Sequence, residues 1–238
     1  MIISLKNRKA KYTYGSSSGY YPFRGEKSIW YESLVEKDLL VLLEYNDMVL
    51  DVIEQPVTIT YTNHNGRVVP YTPDFLVTFK SLPSQGSQEI FLKPQLIEVK
   101  LQKELKKKFL ELRPRFKIAT RYAMENGYIF KLYDDKKIRG VELSNILLLK
   151  RYKKTKFDET EESRILGYLK SVGHTQIDHL LEAMYATKPK QAIALSHLYH
   201  LLYHKKVGID IGLPINSWST IWLNIDENYE EGILNELR

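Results

Sequence analysis

At residue 55 the spacing of apolar side chains along this chain changes from a helical period to a period of two. That change restricts the fold more than any other feature. Before it, Val35, Leu39, Leu42 and Leu43 keep a helical stripe, with Glu32 and Glu36 one turn apart on adjoining surface. After it, Val57, Ile59 and Tyr61 alternate with Thr58, Thr60 and Thr62, and Asn65-Gly66 supplies a type I′ hairpin turn into a second strand over residues 67–79. A helix followed by a hairpin makes this part of the chain mixed α/β.

The pattern continues in that style. Residues 1–27 are polar and read as an arm ending at Gly25, and Ser28 is the expected cap of the first helix. Residues 81–88 are loop-like, and residues 96–100 form a short apolar strand with charge at alternate positions at its end. Leu101, Leu105, Phe109 and Leu112 then fall within about 80° of one another on a helical wheel. Pro114 can open the next helix and Gly127 can close it, before a strand over residues 128–133 and a helix over 141–152. This organisation defines a domain over residues 28–154.

Past Lys156 the order becomes helix, helix, helix and a two-stranded wing. Asp158 and Glu161 make a capping-box pattern, Gly173 ends that helix, Thr175 is expected to cap a second, and Pro189 opens a third running to about residue 204. Residues 207–211 and 218–223 read as the two wing strands. That order is the order of an α+β winged helix-turn-helix domain, assigned to residues 155–238 together with an acidic end.

The charge is polarised. The chain holds 35 Lys+Arg and 29 Asp+Glu in 238 residues, a net +6. Residues 100–117 alone carry eight basic and two acidic side chains, a local +6, whereas the last fifteen residues hold five acids and only Arg238. A basic face of this kind neutralises nucleic-acid phosphates and releases their counterions, although a solvated helix face has the same composition. Lys103, Lys106, Lys107, Arg113 and Arg115 are the candidate DNA contacts.

Ordinary globular proportions, 43% hydrophobic and 27% charged, exclude a disordered or fibrous chain. The absence of cysteine excludes thiolate metal sites and thiol nucleophiles. The longest apolar runs fall far short of the ~20 residues a membrane helix needs. The first residues lack an apolar region followed by a small-residue cleavage site. A cytoplasmic location is the resulting expectation.

Three features converge on one chemistry. Pro73-Asp74 sits inside a strand, Glu98-Val99-Lys100 ends the next one, and the two acids are 24 residues apart. Alternation along a strand projects Glu98 and Lys100 from one face. If the two strands are neighbours, Asp74 and Glu98 can share a hard divalent cation, Mg²⁺ with Mn²⁺ as a substitute. Such an ion activates water and stabilises charge on a phosphodiester, with Lys100 orienting the water.

The order of a helical Glu, a P-D in a strand and E-x-K at the next strand's end resembles the PD-(D/E)xK restriction-endonuclease-like superfamily. Residues 31–38 (YESLVEKD), Leu42-Leu43-Glu44, Glu54-Gln55-Pro56, Tyr71-Thr72-Pro73-Asp74-Phe75, Ile97-Glu98-Val99-Lys100 and Lys137-Ile138-Arg139 together resemble the TnsA family, the endonuclease subunits of heteromeric transposases. The resemblance implies a restriction-endonuclease-like mixed sheet flanked by helices. It also implies a catalytic set of Glu32, Asp74, Glu98 and Lys100, with the Val99 backbone carbonyl as a further metal ligand. By the same resemblance the enzyme cuts double-stranded DNA at the 5′ ends of a transposon. A TnsB-like transposase would act on the 3′ ends, under a TnsC-like AAA+ ATPase.

Other readings stand beside this one. A stand-alone restriction or repair nuclease would use the same fold, and a non-catalytic DNA-binding or assembly module would rest on the winged helix. His197, His200 and His204 share a helix face and suggest zinc, but no nearby Asp or Cys completes a ligand pattern. They are expected to face solvent, DNA or a partner. Trp218 and Trp222 are expected to point the same way from a strand into the core.

Overall fold

The computed structural model describes residues 17–63, 65–82 and 89–224. The chain divides between Gly140 and Val141 into two compact units.

In the first unit β1 (Gly19–Phe23) and β2 (Lys27–Tyr31) form an antiparallel hairpin that turns through Arg24 and Gly25, both at positive φ. The described part of the expected arm is therefore a strand pair, with residues 1–16 outside the described residues. Tyr21 and Phe23 alternate inward and are buried, which ties this polar segment to the core. Ser28 lies within β2 instead of capping a helix. Ser33 caps α1 (Leu34–Tyr45), its Oγ accepting from the Glu36 N–H at 3.2 Å.

The next elements are β3 (Val49–Glu54), β4 (Ile59–Thr62), β5 (Val68–Tyr71) and β6 (Phe75–Phe79). The expected hairpin forms as β4 against β5, with Gly66 at φ +73°, but the Asn63 N–H donating to the Arg67 carbonyl closes a longer turn than the two-residue type I′ expected. The strand expected over 67–79 is broken at residues 72–74, however, because Pro73 has no N–H to donate to a ladder. The break moves the chain from one sheet to another. β6 pairs antiparallel with β3 on one side and with β7 (Gln95–Lys100) on the other.

α2 (Gln102–Glu125), β8 (Ile129–Asp134) and α3 (Asp135–Ile138) complete the unit. The mixed sheet runs β3-β6-β7-β8, with β7 and β8 parallel and joined by α2. Leu96, Ile97, Glu98 and Val99 are all buried, and α1 and α2 both pack on β7, so the central strand is a continuous buried run. This is a mixed sheet flanked by helices, consistent with a restriction-endonuclease-like fold.

α2 departs from expectation in two ways. Pro114 lies inside it and does not open a new helix, while Lys108 breaks the helical dihedrals with φ −121° and ψ 17°. Leu112 is buried, but Leu101 and Phe109 are about half exposed, so the expected apolar stripe reaches the core only beyond the kink. Ala119, Tyr122 and Ala123 carry the packing there, against Val57, Ile59, Tyr71 and Leu96.

The second unit comprises α4 (Val141–Lys150), α5 (Glu159–Val172), β9 (His174–Gln176), α6 (Ile177–Met184), α7 (Lys188–Tyr203), β10 (Val207–Ile209) and β11 (Thr220–Leu223). β11 pairs antiparallel with both β10 and β9. Ile165, Leu169, Leu180, Leu198 and Ile221 form its core. Thr175 lies in β9, so α6 begins after Gln176 without a side-chain cap.

The division falls earlier than residue 155, and α4 accounts for it. Leu149 belongs to the second core, and buried Asn145 is bonded to the loop between β10 and β11. Its Nδ2 donates to the carbonyls of Ile211 and Leu213 at 2.9 and 2.7 Å, and its Oδ1 accepts from the Ile215 N–H at 3.2 Å.

Neither tryptophan is a core residue. Trp218 precedes β11 and is 67% exposed, and Trp222 covers Gly208, where a Cβ would come within 2.2 Å of the indole nitrogen. The segment after α4 lies against the histidine face and partly buries His197 and His200, while His204 stays exposed. His200 Nδ1 lies 2.9 Å from the Tyr152 carbonyl, His204 Nε2 lies 3.0 Å from that of Lys153, and His197 stacks on Phe157 with centroids 4.4 Å apart. The acidic residues 226–238 lie outside the described residues.

Candidate active site

The break before β6 and the end of β7 create the site together. Asp74 extends the ladder, its N–H donating to the Ile97 carbonyl at 3.0 Å and its carbonyl accepting from the Gln55 N–H at 2.8 Å. That seating brings its Oδ2 to 2.7 Å from the Val99 N–H, which donates to it. Asp74 and the Glu98-Val99-Lys100 run are therefore neighbours, as the alternation argument requires.

Glu98 and Lys100 project from the same face of β7. Lys100 Nζ lies 2.7 Å from Glu98 Oε1 and donates to the Val99 carbonyl at 3.0 Å. The other oxygen, Glu98 Oε2, accepts from the Tyr71 hydroxyl at 2.8 Å. Both ends of a buried carboxylate are thus held.

The electrostatics follow from that enclosure. Burial raises the Asp74 carboxyl well above the usual range, and the Glu98 charge beside it adds to the effect, against the pull of Lys100. Burial would push the Lys100 ammonium down, but the charges of Asp74 and Glu98 outweigh it and hold the group above its ordinary value. Burial and then the neighbouring Glu98 push the Tyr71 phenol far up, so it serves only as a donor.

The expected helical glutamate, Glu32, lies just before the Ser33 cap and outside α1, and it separates from Glu36 in the first turn. Glu32 is exposed, and its Oε1 accepts from Gln55 Nε2 at 2.9 Å. Glu36 is buried, its Oε2 accepting from the Glu32 N–H at 2.7 Å and its Oε1 lying 2.8 Å from Ser33 Oγ. Burial raises its carboxyl, Lys100 pulls it back, and its charge in turn acts on Asp74. The structure therefore brings Glu36 into the electrostatic group of Asp74 and Lys100. The sequence signal for it is the Ser33-x-x-Glu36 capping spacing, which turns this side chain back towards the helix start. Tyr71 had no separate signal beyond its place in the Y-T-P-D run.

Lys103, Lys106, Lys107 and Arg113 are exposed along α2. Arg115 is half-buried, and its Nε donates to the Tyr61 hydroxyl at 3.1 Å, tying α2 to β4.

Among the described residues no group of three or more His, Asp or Glu side chains is gathered closely enough to hold a metal ion. The oxygens that converge are the carboxylates of Asp74 and Glu98 and the carbonyl of Val99. Two of those three groups already receive one cationic nitrogen, that of Lys100. All are hard donors, a set that suits a hard divalent cation.

Two family models match the chain. The N-terminal model of TnsA-like endonucleases matches residues 46–135, which hold Asp74, Glu98 and Lys100 but neither Glu32 nor Glu36. The C-terminal model of TnsA endonucleases matches residues 137–211. No curated protein matches the chain. With both models matched in order along one chain, and an acid, an acid and a lysine meeting on adjacent strands of the first unit, this protein belongs to the TnsA-like endonucleases, the nuclease subunits of transposases.

Proposed function

We propose that the chain is a metal-dependent DNA endonuclease that cuts the 5′ ends of a transposon during cut-and-paste transposition. It would work with a TnsB-like transposase and a TnsC-like AAA+ ATPase. The observation that carries the reading is Asp74 accepting from the Val99 N–H beside the Glu98–Lys100 pair.

Asp74, Glu98 and the Val99 carbonyl would hold Mg²⁺, with Glu36 or Glu32 as the further acid. When bound, the ion supplies Lewis acidity towards the phosphodiester and lowers the pKa of water. The protein's own groups do the remainder. Lys100, kept protonated by Asp74 and Glu98, offers N–H donors to an attacking water or to the charge developing on phosphate oxygens. The exposed Lys103, Lys106, Lys107 and Arg113 on the helix that continues β7 guide the backbone of the duplex towards that point. Hydrolysis adds water oxygen to phosphorus and breaks the P–O3′ bond, leaving a 3′-hydroxyl, which takes up a proton, and a 5′-phosphate.

The second unit is assigned as a winged helix, with α5, α6 and α7 followed by the β10–β11 wing. Residues 207–224 carry Asp210 as their only charge, which favours a protein partner over a DNA backbone for that wing. The test of the whole reading is cleavage of transposon-end DNA with Mg²⁺ and the partner transposase. Asp74→Ala should lose the 5′ cuts while the complex still assembles, and undiminished cutting would overturn the assignment.

A further inference from the structure

We infer that Tyr71 is a positioning residue for Glu98, fixing which carboxylate oxygen is offered to a cation. This rests on the reading of Asp74 and Glu98 as cation ligands, and it adds a residue from a different sheet to that site.

Tyr71 is the last residue of β5, in the β4–β5 hairpin, whereas Glu98 is in the four-stranded sheet. Three features hold the tyrosine still. It pairs with Ile59 across the hairpin. The hydroxyls of Thr58 and Thr72, one step beyond that pair at the same end of the hairpin, lie 2.9 Å apart. Its ring is buried with Val57, Ile59, Leu96, Tyr122 and Ala123. A phenol so fixed has one direction in which to donate, and that direction ends on Glu98 Oε2 at 2.8 Å. Rotation of the carboxylate about its own axis is thereby stopped.

Oε1 is left as the oxygen turned towards Lys100 Nζ and the Val99 carbonyl, where positive charge already sits. Partners of this kind orient a ligand and hold its coordinating atom in place, and their loss typically weakens metal binding by 10–100-fold. Tyr71 meets the geometric requirement without touching a cation itself.

The experiment is Mn²⁺ titration calorimetry on the whole chain, without DNA or partners. Tyr71→Phe, which keeps the ring, should bind Mn²⁺ about tenfold more weakly than the unaltered chain. Tyr122→Phe, in the same core cluster, should stay within about twofold and reports what loosening that core does by itself. 3-Fluorotyrosine placed at position 71 restores the hydroxyl and should also stay within about twofold. Equal affinity in Tyr71→Phe and the unaltered chain overturns the role of Tyr71 alone. So does an equal loss in Tyr122→Phe, or a tenfold loss with fluorotyrosine, which also decides the matter if Tyr71→Phe fails to fold. Absence of Mn²⁺ binding in the unaltered chain removes the cation reading, and this role with it.

Discussion

Lys100 Nζ lies 2.7 Å from Glu98 Oε1, with the lysine side chain 21% and the glutamate side chain 4% exposed. The ammonium is the only cationic group among the described residues paired with that carboxylate, and Asp74 depends on it as well. Removing one partner of such a pair typically costs about 3–5 kcal/mol, because the other charge stays buried. Lys100→Met should therefore lower stability by about that amount in urea unfolding, and adding Glu98→Gln should recover most of the loss.

Glu36 and Glu32 should differ sharply. Glu36 is buried within reach of the charges of Asp74 and Lys100, whereas Glu32 is exposed and engaged by Gln55. Glu36→Gln should lower 5′-end cleavage about 100-fold and Glu32→Gln by only a few-fold, as measured by gel assay with the assembled complex. The reverse order would return the helical acid to Glu32.

The exposed lysines of α2 make a quantitative forecast for DNA. Each phosphate contact contributes about −0.9 to the slope of log affinity against log salt. Replacing Lys103, Lys106 and Lys107 by Gln should flatten that slope by about 2–3 for a transposon-end duplex, read by fluorescence anisotropy from 50 to 200 mM salt. An unchanged slope would show that these three lysines do not contact the duplex.

Asn145 serves three backbone groups of residues 211–215 from a buried position. Asn145→Ala leaves those groups without it and should cost about 2–3 kcal/mol. Asn145→Asp removes the two donations and should be nearly as costly. Thermal melting measures both.

His197 links stability to pH. Burial lowers its pKa, helped by His200 and opposed by Glu161. The folded chain therefore binds fewer protons than the unfolded chain as pH falls through about 6.5, so stability is complete above that value and declines below it. The melting temperature should drop between pH 7.5 and 5.5, and His197→Phe should flatten the drop relative to the unaltered chain. A profile unaffected by the substitution would show that His197 does not contribute.

What could be read in the sequence was what depends on neighbours along the chain. The alternation after residue 55, the β4–β5 hairpin, the Glu98–Lys100 alternation and the cap at Asp158 are local, and each has its counterpart in the structure, although strand pairing already begins in β3 and the turn is longer than a two-residue type I′ turn. Ser28 misled because aromatic alternation at Tyr21 and Phe23, not polarity, decides that the segment is a strand. β3 had no reading at all, since Leu50 and Ile53 are exposed and blur its alternation. α4, His197 and His200 were misplaced because their partners, residues 211–215 and 152–157, are distant along the chain and of unremarkable composition. For the site, Asp74, Glu98 and Lys100 were legible through spacing, whereas the separation of Glu36 from Glu32 is a matter of burial, which no spacing encodes.

Pro73 gives the site an order of assembly. Tyr71 is held in one sheet and Asp74, three residues later, in another, so their meeting at Glu98 requires both sheets to be in place. The strand that bears Glu98 is itself central, and its outer neighbour is β8, on the far side of a 24-residue helix. Contacts so distant in sequence form late, because loop closure must precede them. While the chain is being synthesised, every charged residue of the site emerges before the strand that encloses it. Closure of the sheet around Glu98 and Lys100 therefore waits for the polypeptide to extend through Asp134.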